Sequence, residues 1–280
     1  MSWQAERKYM PDIFETLQGA ISNPSPRIVL LAAHPDDETI GASALLARFP
    51  QTHVVYLTDG APRNRALWSP QARGAREDYA ALRRTEAEAA LAHAGIVAPQ
   101  VAWLGGVDQE AILASAALTR AFAEYLRANR ADVIVTHPYE GGHPDHDTAA
   151  LVARSAITVS ATGALLFEMT SYHSRSGRCV SGEFLDSDPS RELRFELSAE
   201  QCGRKRKMLD AHASQRAVLA AFRVDSERIR PAPEYDFSRP PHEGLLWYES
   251  MNWEMSGAEW RELAANTIHD MQGCDAAHSA

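Results

Sequence analysis

The chain has 280 residues, and its content of 45% hydrophobic and 23% charged residues is that of an ordinary folded, soluble protein. A net charge of −9 argues against a nucleic-acid-binding protein, because phosphate contacts require a basic surface. No apolar run approaches the roughly 18 residues that a membrane-spanning helix needs, and the polar N-terminus has no signal-peptide layout. Three widely separated cysteines indicate neither a disulfide framework nor a thiolate metal site. We therefore expect a cytoplasmic enzyme or binding protein.

Buried strands and amphipathic helices alternate along the first part of the chain. Hydrophobic periodicity predicts strands and helices in the order strand 27–33, helix 38–49, strand 53–58, helix 73–94, strand 101–104, helix 108–129, strand 132–136 and helix 147–159. This order predicts an α/β fold with a mostly parallel sheet and helices on both of its faces.

The alternation weakens after residue 160. Short strand patterns lie at 165–172, 179–185 and 192–197, a capping box at Ser198 and Gln201 opens a helix to about 213, and 256–267 is helical in pattern. No linker or repeat divides the chain. We expect one domain over 1–280, with a core at about 27–160, a C-terminal elaboration at about 161–269 and a frayed tail at 270–280.

Two polar motifs follow strands of the predicted sheet. Ala33–Glu38 (AHPDDE) follows the first strand, and Gly141–Asp147 (GGHPDHD) follows the strand at 132–136. Ligands of open α/β sheets bind in the crevice beyond the carboxyl ends of the strands. The sheet is therefore expected to bring the two motifs together, although about 110 residues separate them.

These motifs contain the ligands of a catalytic metal site. His34 and Asp37 can bind one ion, and His146 can supply a third ligand. Two imidazoles and one carboxylate leave a coordination position for water, which is typical of catalytic zinc. Asp36 and His143 then remain beside the ion as acid/base groups. The plainer alternative is that an aspartate after a strand caps a helix and that a lone histidine is simply hydrogen-bonded.

The pair of motifs resembles the PIG-L/LmbE family of metal-dependent N-deacetylases, over about residues 27–160. The resemblance implies a Rossmann-like fold and a zinc hydrolase, one ion per chain, acting on an N-acetylglucosamine derivative. By motif position it implies that the metal ligands are His34, Asp37 and His146. It also implies that Asp36 is the general base and that His143 is the electrophilic or acid histidine.

Two further positions match weaker patterns of that family. Arg83 resembles an arginine that lies over the substrate pocket, and Asp108 resembles an aspartate that holds substrate hydroxyls. The alternatives are a helix ion pair of Arg83 with Glu86 and a helix cap for Asp108. The chain departs from the family where some relatives carry a tyrosine just before HPDH, because Tyr139 lies further back.

The mechanism that we expect is metal-assisted amide hydrolysis. Zinc lowers the pKa of its water, Asp36 takes the proton, and the metal with His143 stabilises the oxyanion. Asp145 is predicted to orient His143 and to raise the pKa of its imidazole. Iron(II) also fits the same ligands. The products are a free amine and acetate.

Two other classes of protein fit part of this pattern. A non-haem Fe(II) oxygenase also uses two histidines and one carboxylate, but such sites usually lie in double-stranded β folds. A sugar-binding module would not need a base such as Asp36. The expected partner is a small acetylated amino sugar or glycoconjugate, and a homo-oligomer stays open. The sequence does not distinguish a glycolipid, a thiol glycoside, an antibiotic and an oligosaccharide.

Several other residues have weaker signals. His137, one residue past a strand, is predicted to shape the pocket. His242 and the segment 172–175 are candidates for contact with the substrate, although ordinary loop positions are the simpler interpretation. The aromatic residues near the C-terminus are expected to pack in a core rather than to stack on a sugar; they are Trp247, Tyr248, Trp253 and Trp260.

Overall fold

A seven-stranded sheet lies between two layers of helices. The computed structural model describes residues 13–17, 25–251 and 253–278, with side chains as far as residue 272. The strands are β1 (Ile28–Ala32), β2 (His53–Thr58), β3 (Val101–Gly106), β4 (Val133–Thr136), β5 (Leu165–Met169), β6 (Tyr172–Arg175), β7 (Arg178–Ser181), β8 (Leu193–Glu196) and β9 (Ser226–Pro231). The helices are α1 (Asp37–Arg48), α2 (Arg76–Ala92), α3 (Ser115–Asn129), α4 (Pro144–Ser160), α5 (Ala199–Ala211), α6 (Arg216–Leu219), α7 (Trp247–Ser250) and α8 (Gly257–His278).

The strand order across the sheet is β3-β2-β1-β4-β5-β9-β8. The first five strands of the chain are parallel, and β9 is antiparallel to both of its neighbours. The predicted α/β fold with a mostly parallel sheet is therefore confirmed. The order of the chain reverses between β1 and β4, which makes this pair the switch point where open α/β sheets bind ligands.

Burial on both faces of the sheet explains why β1 reads as an unbroken apolar run. Leu30 packs in the core on the side of α1 and α2, together with Leu45. Leu31 packs on the opposite side with Phe122 of α3 and Val152 of α4. Alternate side chains of one strand thus enter two cores, so every position of β1 must be apolar.

Several boundaries differ from those expected. Helix α3 begins at Ser115 instead of 108, because Gln109 has a φ of 68° and a short 3₁₀ turn precedes the helix. Helix α4 begins at Pro144, so the second motif forms its first turn. Helix α8 extends to His278, through most of the tail that composition predicts to be frayed; that segment contains no proline to end the helix.

Strand β9 was not expected from the sequence. Its sequence SERIRP contains charged residues, among them Glu227 and Arg230, whose side chains are buried in the structure. Because these buried positions are charged, the sequence lacks the alternation of apolar and polar residues that predicts a strand. The predicted capping box is present, since Ser198 N–H donates to Gln201 at 2.8 Å. No helix within the described ranges has both the length and the apolar character needed to cross a bilayer.

Glu227 of β9 fixes helix α1 at a kink. Ala42, with a φ of −143° and a ψ of 19°, breaks the helical ladder, and the side chain of Glu227 accepts the N–H groups of Ser43 (3.1 Å) and Ala44 (2.9 Å). Lys205 of α5 completes the arrangement by donating to Glu227 at 2.8 Å and to the Ile40 carbonyl at 2.7 Å. A buried ion pair thereby joins α1, α5 and β9.

The Glu227 carboxylate gives a test of this junction. Glu227→Ala should lower the free energy of unfolding by about 3–5 kcal/mol, because it leaves the Lys205 ammonium buried without its counter-charge. Urea denaturation followed by circular dichroism measures the change. The control is Glu196→Ala, which removes the exposed partner of Arg194 on β8 and should change stability little. Equal losses in the two variants would contradict the assigned importance of the buried pair.

Candidate active site

Two loops at the carboxyl ends of β1 and β4 form the candidate site. The first contains His34 and leads into α1, and the second contains His143 and leads into α4. Because β1 and β4 are adjacent and parallel, the two loops lie side by side. The structure therefore brings both sequence motifs to the switch point of the sheet, where the expected crevice is found.

Three predicted metal ligands converge at the base of this crevice. His34 Nδ1 lies 3.3 Å from one oxygen of Asp37, and His146 Nε2 lies 3.3 Å from the other. Ligand atoms of the three residues lie within 4.8 Å of one another, and all three residues are buried. Two imidazole nitrogens and a carboxylate at this spacing are a donor set that suits zinc.

A second group of side chains surrounds the other ring nitrogen of His34. His34 Nε2 lies 3.1 Å from Asp145 and 3.3 Å from Asp108. The Asp145 carboxylate is held in turn by the backbone N–H groups of Gln109 (2.6 Å) and Ala111 (3.1 Å). A carboxylate on the outer nitrogen of a metal-binding histidine fixes the ring and its tautomer. His34 is therefore placed to bind an ion through Nδ1.

The predicted role of Asp145 as the partner of the His143 ring was wrong. Its carboxylate contacts His34, and only its backbone N–H contacts His143, donating to Nδ1 at 3.1 Å. The reason is that His143 is the N-cap residue of α4, while the Asp145 side chain projects from the first turn toward the segment after β3.

His143 is consequently a neutral imidazole. Its Nδ1 accepts a hydrogen bond, so its ring proton is on Nε2, which lies 3.9 Å from Asp108, another residue of the cavity lining. Burial, followed by the charges of His34 and His146, holds the pKa of His143 well below its usual value. This direction is opposite to the expected rise, because no carboxylate is paired closely with the ring.

Asp36 has a backbone conformation that its neighbours must maintain. Its φ of 137° is one that non-glycine residues rarely adopt. Glu38 accepts the Asp36 N–H at 3.0 Å, and Arg83 donates to the Asp36 carboxylate at 3.1 Å and to the Pro35 carbonyl at 2.5 Å. Burial raises the pKa of Asp36 to about 6, and the charge of Arg83 opposes that rise. The carboxylate lines the cavity beside the three candidate ligands.

The two predicted substrate-binding residues both line the same cavity. Arg83 is buried and pairs with Asp36, whereas Glu86, its alternative partner, accepts hydrogen bonds from Ser214. Asp108 does not cap a helix, because α3 begins seven residues later, and its carboxylate lies between His34 and His143. Their contact with a substrate stays a prediction.

Some residues of the site had weak or no sequence signals. His137 stacks on His146 with a ring separation of 4.0 Å, and its Nε2 lies 3.3 Å from Asp37. Ser171 hydrogen-bonds His146 Nδ1 at 3.0 Å, and no motif pointed to it. Tyr172, which belongs to the segment 172–175 named above as a candidate for substrate contact, lines the cavity. Tyr139 instead bonds the Arg239 carbonyl, outside this cavity.

The C-terminal aromatic residues divide between the core and the site. Trp260 and Tyr248 are buried, as expected, whereas Trp253 lines the cavity 4.6 Å from the ring of His143. His242 is not among the residues that line this cavity, and its Nδ1 lies 2.7 Å from the Glu243 carbonyl. The cavity has a volume of about 260 Å³.

Residues 29–157 match the sequence profile of the family described as PIG-L, GlcNAc-PI de-N-acetylase. This segment contains both motifs and every predicted site residue. It belongs to the PIG-L family. A curated relative of the PIG-L segment is a 1D-myo-inositol 2-acetamido-2-deoxy-alpha-D-glucopyranoside deacetylase of Rhodococcus opacus, 29% identical over 160 residues. That match covers 49% of this chain and 54% of the relative, so the chain spans about half the length of the curated relatives it matches.

Solved structures share the fold of this chain. The deacetylase of the A40926 pseudoaglycone superimposes with a TM-score of 0.55 and 19% identity, covering 75% of this chain and 98% of that one. The N,N'-diacetylchitobiose deacetylase of Pyrococcus horikoshii gives a TM-score of 0.53 and 18% identity, covering 82% and 94%. Identities this low show the likeness of the fold alone.

Proposed function

We propose that this protein is a metal-dependent N-deacetylase that hydrolyses the N-acetyl amide of an amino-sugar-containing substrate. One observation carries the proposal. His34, Asp37 and His146 offer a three-donor site in the crevice at the switch point, with the carboxylate of Asp36 beside it. The relatives of the PIG-L segment that are named deacetylases of acetylated sugars support the substrate class.

The chemistry of the donors fits zinc, and iron(II) suits the same atoms. His34, Asp37 and His146 would hold one ion, which when bound polarises the amide carbonyl and lowers the pKa of water. His34 and His146 each have a partner on the second ring nitrogen, namely Asp145 and Ser171. Such partners orient metal-binding imidazoles.

Asp36 is the residue placed to move the proton. As the general base it removes a proton from the attacking water while the oxygen adds to the acyl carbon. When the C–N bond breaks, the same carboxyl group returns that proton to the leaving amine. The products are acetate and a free amino sugar. Arg83 and Glu38 keep the Asp36 carboxylate and backbone in place for both transfers.

His143 stabilises the negative charge that develops on the acyl oxygen. His143 lines the cavity and its neutral ring offers the Nε2–H, and a fixed donor aimed at the oxyanion lowers the barrier without reorganisation. A neutral ring agrees with the lowered pKa of His143 and differs from the raised pKa expected from the sequence. His143 is thus a hydrogen-bond donor, and the acid role belongs to Asp36.

An oxygenase is the alternative that the ligand set allows. The parallel α/β sheet argues against it, since two-histidine, one-carboxylate iron oxygenases usually use double-stranded β folds. Release of acetate from N-acetylglucosamine glycosides, without any requirement for 2-oxoglutarate, distinguishes the hydrolase from the oxygenase.

The metal ligands can be tested by metal analysis. The zinc-loaded protein should contain about one ion per chain, and His34→Ala, Asp37→Ala and His146→Ala should each lose it, because each removes a ligand. His143→Ala is the matched control, as it removes a neighbouring imidazole and should retain the ion. Full occupancy in all three ligand variants, or loss of zinc from His143→Ala alone, would refute the assignment.

The base can be tested by a change that preserves shape. Asp36→Asn should keep the metal and the fold yet lower kcat by roughly 10²-fold or more, because the amide cannot accept the proton. Acetate release by the metal-loaded variant is the measurement, with metal content checked in parallel. Turnover close to that of the wild type would assign the base to another residue.

A further inference from the structure

The cavity above the candidate ligands has an apolar mouth. Within the described ranges, the large apolar side chains with the greatest exposure are Leu67, Val97, Leu113, Val218, Leu245 and Met251. Leu67, Val218 and Met251, which are 40%, 59% and 46% exposed, all line this one cavity. Leu113 lines an adjoining cavity that shares Trp253 and Asp108 with it. Exposed apolar side chains gathered in one place mark a binding surface.

These residues come from three separate parts of the chain. Leu67 ends a 3₁₀ turn after β2, Val218 is in α6, and Met251 follows α7. Phe222 and Trp253 lie beside them in the lining. Since unrelated segments supply one apolar surface, the surface is a property of the folded cavity and not of a single hydrophobic stretch.

The carboxylates and the guanidinium among the described lining residues all lie among or beside the candidate ligands; they are Asp36, Asp37, Arg83 and Asp108. Asp36, Asp37 and Arg83 are buried, with exposures of 7%, 4% and 3%. Among the described lining residues the one lysine or arginine is Arg83, whose guanidinium is already paired with Asp36. Arg63, which lines the adjoining cavity, is paired with Glu110. A phosphate group at the mouth would therefore find no unpaired cation among these lining residues. A polyol in contact with Leu67, Val218 and Met251 would place its hydroxyls against carbon, which costs free energy.

The size of the cavity limits what it encloses. Its volume of about 260 Å³ is slightly below that of typical small-molecule sites, which run roughly 300–1,000 Å³. The scissile amide must reach His34, Asp37 and His146 at the inner end. A short acyl group and a sugar ring then fill the space, and whatever else the substrate carries extends to the mouth.

We propose that the substrate carries an uncharged apolar group on the aglycone of its N-acetylated amino sugar, and that Leu67, Val218 and Met251 contact this group. The proposal rests on the proposed function and narrows its substrate. It differs from the substrate in the name of the Rhodococcus relative, whose aglycone is inositol. Burial of an alkyl or aryl group at the mouth supplies binding free energy that a polyol does not.

The test compares two glycosides that differ only in the aglycone. Acetate release is measured for methyl and octyl 2-acetamido-2-deoxyglucosides, below the critical micelle concentration of the octyl compound. The octyl glycoside should have a kcat/KM at least roughly tenfold higher, in line with the discrimination that apolar pockets achieve. Calorimetric binding of octyl and methyl glucoside, which have no amide to hydrolyse, should show the same preference without turnover.

Val218→Ser should lower the octyl-to-methyl ratio of kcat/KM roughly threefold or more. The matched control is Val97→Ser, because Val97 is 58% exposed, close to the 59% of Val218, but is not part of the cavity lining. That variant should leave the ratio and both rates unchanged. Leu67→Ser and Met251→Ser should act like Val218→Ser.

The possible results separate this proposal from the proposed function. Equal kcat/KM for both glycosides would overturn the apolar aglycone and leave the deacetylase intact. A gain from an N-octanoyl group on the methyl glycoside, but none from the octyl aglycone, would also overturn it. If the wild-type protein forms dimers and Val218→Ser dissociates them, a second copy of the chain covers the mouth, which would overturn the proposal. If no acetate is released, but octyl glucoside binds better than methyl glucoside and Val218→Ser removes this preference, the deacetylase is refuted and the apolar mouth is supported.

Discussion

The two ring nitrogens of His34 face different carboxylates, and the rest of the site is arranged around that histidine. Nδ1 faces Asp37, while Nε2 faces Asp145 and Asp108. Burial alone would lower the pKa of His34, but these carboxylates outweigh it and raise that pKa well above its usual value. One divalent ion at Nδ1 would supply a counter-charge to Asp37 on that side of the ring.

The sheet topology supplies the constraint that assembles this arrangement. His34 follows β1 and Asp145 belongs to the helix after β4, so only the pairing of β1 with β4 puts them in contact. The segment after β3 adds Asp108 and the backbone donors that hold Asp145. Three loops at one edge of the sheet thus fix one imidazole. The positions of the candidate site residues therefore depend on the pairing of the strands and not on either motif by itself.

Much of the fold and the identity of the site residues could be predicted from the sequence, whereas their pairings could not. Apolar periodicity located β1 to β5, because most side chains of β1, β2, β4 and β5 are buried and the edge strand β3 begins with an apolar run. It missed β9, since Glu227 and Arg230 are buried there through ion pairs that no local pattern reveals. From the motif we predicted that the Asp145 carboxylate orients His143, whereas in the structure it contacts His34. The sequence could not distinguish the two histidines, because the expected fold places both of them near Asp145.

Tertiary contact also determines the parts of the cavity that motifs do not contain. Ser171 lies in a predicted strand and Trp253 in the C-terminal aromatic group, but neither pattern indicated contact with His146 or His143. The exposed residues at the mouth are scattered in sequence, so their common surface exists only in the fold. Resemblance to a family therefore indicates the residues of the candidate site better than the apolar side chains around the cavity.

The position of a bound metal tests the account most directly, because His34 belongs to two alternative groups of donors. Anomalous diffraction from crystals of the zinc-loaded protein would locate the ion. We predict one ion bound by His34 Nδ1, Asp37 and His146 Nε2, with the carboxylate of Asp145 on the opposite side of the His34 ring. An ion bound through His34 Nε2 together with Asp108 and His143 would contradict the assignment of ligands, base and oxyanion donor alike.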